Sequence, residues 1–63
     1  MDAPVTFTLE LPPEQAWALA QFVKRVGYSD LRSLAVDEAE AWTMLYATER
    51  LRRALAEQGY APR

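Results

Sequence analysis

The chain has no cysteine and no histidine. The first absence excludes disulfide staples, thiol nucleophiles and cysteine-ligated metals. The second removes the side chain that most often moves protons near neutral pH. Only carboxylates remain as metal ligands, and Asp37, Glu38 and Glu40 lack the glycine turn of a calcium loop. The two glycines form no phosphate-cradling loop, and no nucleophile stands beside a base. An enzyme is therefore not expected, nor a metal, cofactor or small-molecule substrate. No apolar run approaches the ~20 residues that cross a membrane, and the opening MDAPVT has neither the basic nor the apolar region of a secretory signal. A cytoplasmic location is the expectation. No Gly/Ser tract, linker or internal repeat divides the sequence.

What is present is a folding chain. Of 63 residues, 51% are hydrophobic, including two Trp, three Tyr and two Phe, far from the composition of a disordered tail. The length allows one domain, residues 1–63, near the size at which a single core is marginal without outside support. Charge is uneven. Residues 1–49 carry three basic and eight acidic side chains, whereas residues 50–63 carry four arginines and one glutamate. The overall charge of −2 argues against phosphate neutralisation as the main task. It leaves room for a local basic patch at Arg50, Arg52 and Arg53.

Residues 5–11 read VTFTLEL. The alternation puts Val5, Phe7, Leu9 and Leu11 on one face of a strand, with Thr6, Thr8 and Glu10 on the other. No other run looks like a strand, and a lone strand leaves its backbone N–H and C=O groups unpaired. The simplest partner is a second copy. The expected fold is thus α+β and mostly α, a homodimer whose strand core is Val5, Phe7, Leu9 and Leu11.

Pro12 and Pro13 end the strand, and Pro13 suits the first turn of a helix. Ala16, Leu19, Ala20, Val23 and Val26 form one apolar stripe, which predicts a helix over 13–26 with Gly27 as its C′ residue. Ser29 or Asp30 can cap a second helix. From Leu31 to Gln58 there is no Pro or Gly, so this helix is read as 30–58, with Gly59 as its stop and a short tail over 59–63. The apolar phase shifts along it. Leu31, Leu34, Ala35, Ala41, Trp42 and Leu45 lie on one side, and Met44, Ala47, Leu51, Ala54 and Leu55 nearly opposite. Either the helix bends around 43–48 or its halves bury different faces against different neighbours. The absence of a breaker there favours the second.

Several side chains carry expectations of their own. Trp42 falls in the core phase, whereas Trp17 sits at the stripe's edge and suits a dimer or partner contact. Asp30, Asp37 and Glu40 read as a solvated acidic face. Glu38 projects with Leu31 and Trp42, so it should find a partner in Arg32 or Arg52. Glu49 and Arg53 have the spacing of an i,i+4 pair. Tyr60 reads equally as a tether or as part of a docking tail.

The order VTFTLEL, an LP approach to a first helix, a Gly27-Tyr28-Ser29 turn and a second helix resembles the ribbon-helix-helix dimers over residues 5 to about 46. The resemblance implies two strands paired antiparallel, one per subunit, above four intertwined helices. It further implies that Thr6, Thr8 and Glu10 face the DNA major groove, and that the second helix's N-terminus, at Ser29, meets a phosphate. Groove readers are usually Arg, Lys, Asn or Gln, which these positions are not. LPPEQAWALAQFVKR and ALAEQGYAPR are also similar to a group of short bacterial proteins, a likeness that implies no activity.

The first functional expectation is a non-enzymatic homodimeric module that binds a protein partner through Met44, Leu51, Leu55 and Tyr60. A small regulatory adaptor, an antitoxin-like protein or a mobile-element inhibitor would each work this way. The alternative is a DNA-binding repressor using Thr6, Thr8, Ser29, Arg50, Arg52 and Arg53. The partner's identity is not written in these residues.

Overall fold

In the computed structural model, which describes residues 3–63, Pro13 opens the first helix, where its missing N–H has no partner to lose. This helix, α1, spans Pro13–Arg25, with Glu14 in its first turn and Lys24 and Arg25 in its last, as the helix dipole favours. Its buried row is Ala16, Ala20 and Val23. A seven-residue helix, α2, follows at Tyr28–Leu34, and a twenty-residue helix, α3, at Glu38–Glu57. Both α1 and α2 pack against α3. Among the described residues, the buried apolar ones are Ala16, Ala20, Val23, Leu31 and Ala41, and no large side chain is fully buried.

The strand over 5–11 is not formed. Among the described residues there is no strand, so the fold is all-α, not α+β, and lacks the ribbon of a ribbon-helix-helix dimer. The reason is that no second run in the chain supplies a ladder for Val5–Leu11, so the alternating pattern has nothing to pair with. Residues 3–12 instead form an irregular arm leading into α1.

The helix expected over 30–58 is two helices, interrupted at residues 35–37. Ala35 takes an extended backbone (ψ 151°) and Asp37 caps α3, its carboxylate accepting from the Glu40 N–H at 2.8 Å. The Glu40 carboxylate accepts in turn from the Val36 N–H, also at 2.8 Å. Asp37-x-x-Glu40 has the spacing of a capping box, with the Glu40 carboxylate taking the N–H before the cap residue and not the cap's own. Two orphan backbone donors satisfied by carboxylates offset the hydrogen bonds lost at the break. Across 43–48 the helix runs on. Thr43 donates to the Ala39 carbonyl (3.1 Å) and Thr48 to that of Leu45 (2.7 Å), so both hydroxyls bond back into the helix.

Gly27 is not a left-handed C′ residue. Its φ is −115° and it caps α2, donating its N–H to the Asp30 carboxylate at 2.9 Å. Gly59 does take the left-handed conformation (φ 94°). There the Tyr60 N–H bonds the Leu55 carbonyl and the Gly59 N–H that of Ala56, both at 2.9 Å. This is a Schellman turn.

The two glycines therefore predict opposite responses. A Cβ on Gly27 would come no closer than 3.7 Å, to the Asp30 carboxylate, whereas Gly59 has free space but a backbone that other residues resist. Gly59→Ala should lower stability by about 1 kcal/mol or more, and Gly27→Ala should change it by less than ~0.5 kcal/mol. Urea denaturation at one fixed protein concentration measures both.

Candidate functional site: an apolar groove between the arm and the third helix

The second half of α3 has too few neighbours for its apolar residues. Ala47, Leu51, Ala54 and Leu55 lie on one face of the helix, and the arm approaches that face without covering it. Together with Val5, Phe7, Leu9 and Leu11 they line a groove of about 620 Å³, joined by Leu19 from α1. Among the described residues, Arg50 and Gln58 are its only polar lining residues. Exposure climbs as the arm leaves the body: Leu11 is half-buried, Leu9 59% exposed, Phe7 81% and Val5 87%. Phe7 and Val5 therefore stand as a ridge beside a trough lined by Leu51 and Leu55.

The groove joins two sets of residues that the sequence pattern kept apart. The four residues expected in a strand core and two of the four expected in a partner face, Leu51 and Leu55, share one surface. The other two do not join them. Met44 is half-buried outside the groove lining. Tyr60 is half-buried against Trp17, ring centroids 4.8 Å apart and nearly edge-on. The Schellman turn at Gly59 reverses the chain and delivers Tyr60 to α1, so this residue is a tether.

The residues expected to meet nucleic acid are not all brought together: Arg50 lines the groove beside the arm, but Ser29 lies elsewhere. Thr6 and Thr8 lie on the irregular arm, and Ser29 lies in the first turn of α2. Neighbouring Tyr28 packs on Trp42 (4.7 Å between centroids), ten residues and about 15 Å along α3 from Arg52. Arg50 and Arg53 make no ion pair among the described residues. Arg52 faces Glu49 at 4.0 Å, both exposed, so the expected Glu49–Arg53 pair is replaced by an i,i+3 contact of small energetic weight.

Three further expectations are corrected. Trp42 is 43% exposed, flanked by Tyr28 and Tyr46 (6.2 Å), because the short α2 covers only one side of it. Leu34 is 75% exposed, since the helix ends there and the chain turns toward Asp37. Glu38 is exposed in the first turn of α3, where its charge suits the helix dipole and needs no cationic partner. The acidic stretch is in this sense a helix start. Among the described residues no group of three acids is placed to hold a metal ion, and no helix is long and apolar enough to cross a membrane.

A second apolar surface was not anticipated. Phe22, Val26 and Leu34 line a shallow groove between α1 and α2, with Arg25 and Asp30 at its edges. Its signal was available, because Phe22 is a large aromatic left off the stripe of α1.

The model of a family of unknown function, DUF7706, matches residues 1–63, and the chain belongs to that family. No curated protein and no solved structure matches it.

The tether generates a prediction. Tyr60→Ala should cost about 1–2 kcal/mol, the edge-to-face contact plus the buried ring area, whereas Tyr60→Phe should cost under ~0.5 kcal/mol. Trp17 emission, read in a Trp42→Phe background, should shift only for the alanine variant.

Proposed function

We propose that this family member is a non-enzymatic interaction module that works by burying its arm-and-helix groove against another polypeptide. The observation that carries the reading is surface area. A compact protein of this mass, 7.2 kDa, exposes about 4,100 Å², and this chain exposes 5396 Å². Its radius of gyration is 12.8 Å, against about 10.6 Å for a compact chain of this length. The molecule measures 34 × 29 × 16 Å, so it is flat, with its short side about half of either other dimension. Beside the arm, the second half of α3 is left with an open face lined mainly by apolar residues.

The groove fits that task better than a chemical one. Among the described residues its lining is Phe7 and aliphatic side chains, with Arg50 and Gln58 the polar members. An adaptor, an antitoxin-like protein and an inhibitor of a host protein all act through such a face, by burying an apolar helix stripe in a partner. Each large side chain moved out of water contributes about 1.5–3 kcal/mol.

Photo-crosslinking tests the reading. A benzophenone-bearing residue in place of Phe7 or Leu51 should join the full chain covalently to a second polypeptide in its source cells. The same residue in place of Glu38, about 20 Å along α3 from Leu51, should not. Equal labelling at all three positions, or none at any, overturns the proposal.

A further inference from the structure

Resting on that reading, we infer that the polypeptide covering the groove is a second copy of this chain. It sits about a two-fold axis, so that the arm ridge of each copy fills the groove of the other. Three observations argue for this occupant. The first is area. The surface exposed beyond that of a compact chain is on the order of 1,000 Å², comparable to the ~800 Å² that each partner loses in a stable interface. One copy of this same chain is therefore enough to absorb it.

The second is shape. Ridge and trough lie side by side on one face, formed by Phe7 and Val5 on the arm and by Leu51 and Leu55 on α3. A two-fold rotation sets the ridge of each copy over the trough of the other, so this one contact closes on itself and uses the same surface on both copies.

The third is charge. Among the described residues, Arg50 is the one charged residue of the lining and makes no ion pair. Glu10 follows Leu9 on the exposed arm. Exchange of the arms brings the acidic side chain of each copy toward the arginine of the other, at the rim, where such pairs fix register more than affinity. The net charge of −2 per copy opposes association only weakly.

Sedimentation equilibrium of the purified full-length chain tests the inference. At about 100 µM, where a dimer of ~10 µM dissociation constant is largely formed, the wild type should weigh twice 7.2 kDa. Phe7→Asp changes a side chain that is 81% exposed in the lone chain, so its helical circular dichroism should be retained. Its dimer should nevertheless be weakened at least about a hundredfold, because a carboxylate would be carried into an apolar seat. Arg50→Glu should weaken the dimer several-fold, and the exchange Glu10→Arg with Arg50→Glu should restore it. A single-chain mass for the wild type, or a Phe7→Asp variant that still dimerises, overturns the inference. If position 7 still crosslinks to a different protein while the purified chain is a monomer, the interaction module stands and only self-association fails. If position 7 crosslinks to nothing, both fail.

Discussion

The structure turns on how little its core can hold. Among the described residues five are buried, three of them alanine and the others one valine and one leucine. Alanines at Ala16 and Ala20 on α1 and at Ala41 on α3 let helices approach closely, but each removes little apolar area from water. Close approach and small volume together produce a thin plate. The phenylalanines, both tryptophans and most of the leucines are then left wholly or partly outside, since there is no interior thick enough to take them. The exposed arm, the open groove, the half-covered tryptophans and the excess surface all trace back to this one limit.

Aromatic rings take over where the core stops. Trp17 meets Tyr60 at one place, and Tyr28, Trp42 and Tyr46 form a row at another. These contacts join elements that the alanine seam does not. The first holds the chain beyond α3 to α1, and the second holds α2 to α3. Rings suit the task because they cover large areas with few rotatable bonds, and their edges tolerate water. The two helix-start motifs work in the same spirit, with Asp30 and the Asp37/Glu40 pair holding backbone donors that no core would shield.

Much of the helical architecture was legible in the sequence. The proline start and the stripe Ala16, Ala20 and Val23 marked α1, and Gly59 marked the end of α3, because both signals are local and steric. The break at residues 35–37 was also written locally, as Asp37 followed three residues later by Glu40. It was obscured by the absence of Pro and Gly and by reading the acids as a charged face. The shift in apolar phase was real but belonged to a helix that runs on through Thr43–Thr48, with its far half turned toward the arm. The strand was the failure, since VTFTLEL has the right period and alternation says nothing about whether a ladder partner exists. Leu51 and Leu55 were visible as a stripe. Their meeting with Phe7 and Leu9 was not, because it depends on the path of an irregular segment that carries no periodic signal of its own.

The 16 Å short side has a consequence for how the molecule moves through water. A plate has more drag for its mass than a rounder body. Laying a second plate on the open face would make the depth nearly equal to the other two sides, so mass would double while the frictional ratio fell. Diffusion would then slow by less than the gain in mass suggests, and the hydrodynamic radius alone would understate what had assembled.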